Sequence, residues 1–503
     1  MRPALCLVLA AAPAAAEPRF ADRAGTLPVA HVYSGGWEHF VGGGVAVFDC
    51  DGDARPEILA AGGAGPMRLF RNRTPAPGAA LDYTLGEFPA ATGTTGVYPL
   101  DIDGDGWLDV AVLRVGPDLL LRGGPDCAFT DATEDWGLAP RDGWTTAFTA
   151  TWEAGRDRPT LVFGHYVDRA DPDGPFEACD SHDIYRPTGP GYGAAEVIEP
   201  GYCALSMLIS DWRRQGEPEL RVSNDRHYYV RGGYEQMYRL NPLRERVEDW
   251  PRVSLWGMGI ASQDITGDGL PEVMMTSMGD QLLQINTGEG FVNAPYAIGT
   301  YAQRPHIGDD GRPATGWHVA FGDTDNDGRD DIFIAKGNVD QMPTNAIHDP
   351  NNLLWQEPDG SFREVSVAAG VATTDRARGA ALADLDGDGR LDLVVVNRRA
   401  ALELWQNVTD PAGNWAGIET VLPAPNTRAV GAWVELRAAG RVTAREVTVG
   451  GGHAGGTALP LHFGLGEATS AEARVIWPDG SVTDWLPVAV GRVTRIGKGG
   501  VVE

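Results

Sequence analysis

The sequence predicts an all-β chain, a seven-bladed β-propeller followed by a small C-terminal β-sandwich-like domain. Three observations predict it: an acidic nine-residue motif recurs five times between short apolar runs, two degenerate copies continue the recurrence at the same interval, and glycine is abundant, at 66 of 503 residues. A chain this long exceeds an ordinary single core and calls for several units or one large repeat architecture. Frequent glycine suits tight turns and short strands better than long helices.

The motif copies are DCDGDARPE at Asp49, DIDGDGWLD at Asp101, DITGDGLPE at Asp264, DTDNDGRDD at Asp323 and DLDGDGRLD at Asp384. Oxygen-bearing side chains fall at positions 1, 3, 5 and 9. They are Asp49, Asp51, Asp53 and Glu57; Asp101, Asp103, Asp105 and Asp109; Asp264, Thr266, Asp268 and Glu272; Asp323, Asp325, Asp327 and Asp331; and Asp384, Asp386, Asp388 and Asp392. A backbone carbonyl is available at position 7. Ca²⁺ takes about six to eight oxygens at roughly 2.3–2.6 Å in an irregular cage, whereas Mg²⁺ demands a stricter octahedron. Unneutralised, each cluster would repel itself, so a bound divalent ion is the natural counter-charge. The expected cofactor is therefore Ca²⁺, at about five sites. Glycine at position 6 permits the sharp turn; Ala54 stands there in the first loop and Thr266 replaces a carboxylate in the third, so these two sites are expected to be weaker.

These loops are not helix–loop–helix calcium sites. Val45 to Phe48 and Ala380 to Ala383 lead into them, and Ile58-Leu59-Ala60 and Leu393-Val394-Val395 follow, so the unit is strand, loop, strand. Two further segments keep the frame without the ligands. One places Trp152, Ala154, Arg156 and Thr160 at the four positions, the other Asp211, Arg213, Gln215 and Glu219, each with an arginine in the cage. Loop starts at 49, 101, 152, 211, 264, 323 and 384 then give the seven units that a propeller of four-stranded blades requires. Phe-led strands form a second marker, at Phe129-Thr130-Asp131, Phe362-Arg363-Glu364 and Phe20-Ala21-Asp22. None follows the last loop, so the strand at Phe20 is expected to close the ring and remove an exposed edge.

The expected organisation is an export signal over 1–16, the propeller over 17–408, a turn-rich linker over 409–415 and a β domain over 416–500. Met1-Arg2, the apolar run Ala4 to Ala12 and the small residues Ala14 to Ala16 read as a secretory signal too short to span a bilayer. Cys6 lies within it without a lipobox. The expected location is periplasmic or extracellular, with no transmembrane segment. Four cysteines remain, Cys50, Cys127, Cys179 and Cys203, implying two disulfides with three possible pairings. Cys179 and Cys203 flank a Gly/Pro-rich insertion, and closing a loop of that length is worth roughly 3 kcal/mol in the chain-entropy model. Cys50–Cys127 follows by elimination. The net charge of −28 argues against nucleic acid or an anionic membrane as partner.

The acidic loops resemble the FG-GAP/VCBS repeats of integrin α-subunit propellers and many bacterial exported proteins, across roughly residues 20 to 410. GWHVAFGDTDNDGRDDIFIAKGNV is a closer match, and AVGAWVELRAAGRVTAREVTVGGGHAGG, LHFGLG and VIWPDGSVTDW resemble the ASPIC/UnbV domain. Propeller plus that domain is the layout of the cartilage acidic protein 1-like family. The resemblance implies an exported calcium-binding protein, often without an assigned activity, and the two degenerate repeats limit calcium to five loops.

No GxSxG elbow, HExxH helix, Walker loop or GxGxxG fingerprint after a strand is present, and the histidines lack ligand spacing. No catalytic residue is expected. The expected function is a binding, adhesion or scaffold module for a protein or glycan; the alternative is an extracellular propeller enzyme such as a polysaccharide lyase or another carbohydrate-active enzyme. If the acidic loops occupy one face, the opposite face carries Trp37, His39, Tyr98, Trp144, Trp256, Trp317, His318 and Arg378 as candidate ligand-binding residues. The competing reading is that the tryptophans pack blade against blade.

Overall fold

The computed structural model describes residues 16–171, 178–225, 233–301, 314–339 and 348–502, and the expected export signal lies, but for its last residue, outside the described residues. Among the described residues, seven antiparallel four-stranded units follow one plan. The first is built from Val45–Phe48, Glu57–Ala60, Arg68–Asn72 and Tyr83–Leu85. The next begin at the inner strands Thr94–Leu100, Gly143–Thr151, Ala204–Ser210, Gly257–Gln263, Gly316–Gly322 and Ala377–Ala383. The inner strands neighbour one another in that order, and the last neighbours the first. This closed ring of radial sheets is a β-propeller.

Inner strands are almost wholly buried and rich in Ala, Gly and Val, because neighbouring units cover both of their faces. Position 9 of every motif is the first residue of a second strand: Glu57, Asp109, Thr160, Glu219, Glu272, Asp331 and Asp392. Each acidic loop is therefore a hairpin loop between the first and second strands. The ring closes with Phe20–Asp22 pairing against Asn407, Gln406 and Trp405, as the missing Phe-led strand implied. Both disulfides form as expected, Cys50–Cys127 with Cα atoms 5.0 Å apart and Cys179–Cys203 at 4.8 Å. Among the described residues, no helix is long and apolar enough to cross a membrane.

The C-terminal strands form two further sheets. One pairs Leu461–Gly466, Asn414–Thr420, Val493–Gly497 and Gly500–Val502; the other pairs Arg441–Glu446, Trp433–Ala438, Ala471–Ile476 and Leu486–Val488. Ile418, Val434, Phe463, Val475 and Trp477 fill the space between them. Residues 409–415 are not a free tether, since Gly413 N–H donates to Asp325 O at 2.8 Å.

Between the two sheets the chain leaves the sandwich and enters the middle of the ring. Val449, Gly450, Gly452 and Gly455 bridge Ala150, Leu208, Ile260 and Val97, each on a different inner strand. Thr457 and Ala458 then run parallel to Val47 and Phe48. Glycine is obligatory on both sides of this contact. Gly450 sits at φ +131°, and a Cβ on Gly44 would lie 1.7 Å from Ala454 O. His453 is fully buried there.

Candidate metal loops

The five acidic loops share one hydrogen-bond plan. Position 1 accepts two backbone N–H groups from within the loop: Gly104 and Gly106 donate to Asp101 at 2.8 and 2.9 Å, and Gly387 and Gly389 donate to Asp384 at 2.8 and 2.9 Å. Position 9 accepts the N–H of position 2, as Ile102 donates to Asp109 at 2.6 Å and Leu385 to Asp392 at 2.9 Å. Positions 4 and 6 are left-handed in all five, including the non-glycine residues Asn326 (φ 60°) and Ala54 (φ 63°). The backbone thus folds the carboxylates inward before any ion is considered.

Four loops bring three carboxylate oxygens within 4.8 Å of one another: Asp49, Asp51 and Asp53; Asp101, Asp103 and Asp109; Asp323, Asp325 and Asp331; and Asp384, Asp386 and Asp392. The Asp264 loop does not form such a group among the described residues, consistent with Thr266 at position 3. Glu57 also lies near Cys50 and Cys127, but those sulfurs are joined in a disulfide and are no ligands.

Burial raises these carboxyls above the usual range, and mutual repulsion adds to it: Asp109 and Glu57 to about 8, Glu272 and Asp384 to about 7, while Asp323, Asp331 and Asp392 are likewise raised well above the ordinary carboxylate value. Asp51 Oδ1, Asp103 Oδ1 and Glu57 Oε1 are buried acceptors that receive no hydrogen bond. Cages of orphaned, acceptor-only oxygens fit a hard cation. Arginines stand at their rims: Arg122 Nε donates to Asp103 at 2.8 Å, and Arg71, Arg329 and Arg390 pair with Asp51, Asp327 and Asp388.

The two degenerate loops neutralise themselves. In the Asp211 loop, Gln215 and Gly216 N–H still donate to Asp211, but Glu219 is met by Trp212 Nε1 at 2.6 Å, Arg246 at 2.9 Å and Arg213 at 3.7 Å. In the Trp152 loop the expectation needs correction. Arg156 is exposed and its side chain reaches Pro187 O, while Arg186, just past the strand His182–Tyr185, pairs with Glu153 at 2.9 Å.

The aromatic face is packed rather than open. Tyr98, Trp144, Trp317 and Arg378 are 0–1% exposed, and His39 and His318 are buried as well. Arg378 lies over the Trp317 ring at 4.2 Å and donates to Phe40 O at 2.8 Å; Tyr98 Oη donates to Gly451 O at 3.2 Å. These six side chains fix the ring and its central loop, and only Trp37 and Trp256 keep partial exposure. Spacing along the chain placed them on one face, yet a propeller mouth narrows toward its axis, where neighbouring units bury each other's large side chains.

A feature the motif search missed is an asparagine ending the third strand of three units. Asn72 Nδ2 donates to Pro56 O of its own loop and to Leu385 O of the adjoining unit, at 3.2 and 2.8 Å. Asn286 joins Pro271 O to Trp212 O, and Asn407 joins Leu391 O to Thr324 O. The signal was one residue per repeat, in LFRN, LQIN and LWQN.

The FG-GAP-like repeat family matches residues 49–112, 264–334 and 344–395, and the ASPIC and UnbV family matches residues 422–502. The chain carries FG-GAP-like repeats and an ASPIC/UnbV domain. Among solved structures, BBS1N in complex with ARL6DN, soaked with lead, is 10% identical over 75% of this chain and 94% of that chain, with a TM-score of 0.46. An Agrocybe aegerita lectin specific for non-reducing terminal N-acetylglucosamine is 15% identical over 71% and 75%, with a TM-score of 0.28. No curated protein matches the chain by sequence.

Proposed function

We propose that this chain is an exported calcium-binding FG-GAP propeller that works as a binding or scaffold module for a protein or glycan, without a catalytic centre. The observation that carries the metal reading is the convergence of three carboxylate oxygens within 4.8 Å in each of four loops. Asp101, Asp103 and Asp109 would hold one ion, Asp323, Asp325 and Asp331 another, and Asp384, Asp386 and Asp392 a third. Asp49, Asp51 and Asp53 would hold a fourth, in the loop strained by Ala54. The Asp264 loop ranks last. FG-GAP propellers and ASPIC/UnbV domains are not typical of enzymes. Two disulfides fit an oxidising compartment.

Extracellular calcium modules bind with dissociation constants of roughly 10⁻⁴–10⁻³ M. At ten times such a constant each site adds about 1.4 kcal/mol. Elemental analysis of the untreated protein should find calcium, and stripping it should lower the melting temperature by many degrees. A melting curve indifferent to calcium, with none in the protein, would refute the metal reading. Glycan and protein arrays read with and without calcium test the recognition role, and release of unsaturated sugars would replace it with a lyase.

A further inference from the structure

The sandwich docks on the face of the propeller that carries the acidic loops, and it touches the cages themselves. Thr427 Oγ1 donates to Asp101 Oδ2, the carboxylate at position 1. In the Asp323 loop, Arg441 donates to Gly328 O and Gly466 N–H to Asn326 O at 2.8 Å. In the Asp384 loop, His462 Nε2 lies 2.9 Å from Gly389 O, and a Cβ on Gly389 would collide with the Trp415 ring at 1.8 Å. By contrast, the carboxylates of the Asp49 loop are met by the propeller's own groups, Cys50, Gly52, Ala54, Arg55 and Arg71, although Thr457 and Ala458 pair with the strand that leads into the loop.

We propose that cation occupancy of the Asp101, Asp323 and Asp384 loops and docking of the C-terminal sandwich are linked, each strengthening the other, while the Asp49 loop stands outside the linkage. This rests on the calcium reading above. The physical ground is that an ion drawing in the carboxylates fixes the orientation of the carbonyls and the carboxylate that the sandwich engages. A docked sandwich, conversely, holds those groups in the geometry the ion needs. Linkage makes the two effects equal in free energy. Because residues 449–456 are threaded through the ring, cation loss should loosen the seam rather than release the domain.

The test is hydrogen exchange on the full chain, calcium-saturated and calcium-stripped, read over residues 409–430 and 439–466. Stripping should accelerate exchange there about five- to tenfold. In saturating calcium, Asp103→Ala and Asp386→Ala should reproduce part of that loosening, and Asp51→Ala should not. Thr427→Val should weaken calcium binding by a few fold without changing its stoichiometry. Calcium bound by elemental analysis, with seam exchange unmoved by its removal, would overturn the linkage and leave the calcium reading intact. Absence of bound calcium would overturn both, and equal loosening by Asp51→Ala would overturn the exemption of the first loop.

Discussion

Gly42 N–H donates to His453 Nε2 at 3.1 Å, and His453 N–H donates to His318 Nδ1 at 3.0 Å, so each ring nitrogen must be an unprotonated acceptor. Burial lowers the pKa of His453 to about 3, helped by Arg378 and His318, and that of His318 to about 4. An unfolded histidine titrates near 6.5, roughly. Between about pH 6.5 and 4 the unfolded chain binds protons that the folded one excludes, so this contribution is whole above pH ~6.5 and shrinks as pH falls. Urea midpoints should therefore drop over that interval, and His453→Asn, which keeps an acceptor but cannot titrate, should flatten the slope; an identical slope would discount His453. At this scale the sequence was uneven. Spacing alone located the inward carboxylates, because loop position dictates side-chain direction. It could not find Arg186, which reaches the Trp152 loop from just past the strand His182–Tyr185, and it left the burial of Trp144 and Trp317 as one of two readings, because that burial depends on units far apart in the chain.

Each unit must be fastened to the next, and in three units an asparagine does this with one side chain. Asn72, Asn286 and Asn407 are 0–3% exposed, so removing the amide strands two buried carbonyls. Asn286→Ala should cost about 1–3 kcal/mol, measured by urea unfolding, and Asn72→Ala and Asn407→Ala should cost similarly. A loss below ~0.5 kcal/mol would mean that water replaces the amide. The closing strand is a second fastening. Deleting residues 16–23 would bare the edge of Glu403–Asn407 and remove Phe20 from its packing against Val365 and Leu393. Such a chain should be less stable and self-associate in sedimentation analysis; a monomer of unchanged stability would make the strand dispensable. Closure was readable because Phe20-Ala21-Asp22 repeats the phase of Phe129-Thr130-Asp131. The bridges were not, since a single asparagine in each of three units makes no visible pattern without the fold.

The molecule as a whole is two β domains that cannot separate without breaking the centre of the ring. A propeller joined to a sandwich by a tether would melt in two steps. Here Gly451 N–H donates to Met207 O at 2.7 Å, Gly452 N–H to Ile260 O at 2.6 Å, and Val97 N–H to Ala454 O at 3.0 Å, so one glycine-rich loop completes the inner edge of several units. Losing the sandwich would leave those inner-strand groups facing an empty channel, and losing the ring would leave residues 449–456 without partners. The sequence showed the loop only as a run of glycines, because its need for glycine lies in the close approach of strands hundreds of residues away. Calorimetry should accordingly show one transition, with matching calorimetric and van't Hoff enthalpies. Gly44→Ala puts a methyl group 1.7 Å from Ala454 O and should split or markedly lower that transition, whereas Gly25→Ala, with nothing within 4 Å of the added carbon, should leave it whole. Two resolved peaks in the unmodified protein, or a Gly44→Ala trace that overlays it, would show that the threaded loop does not unite the domains.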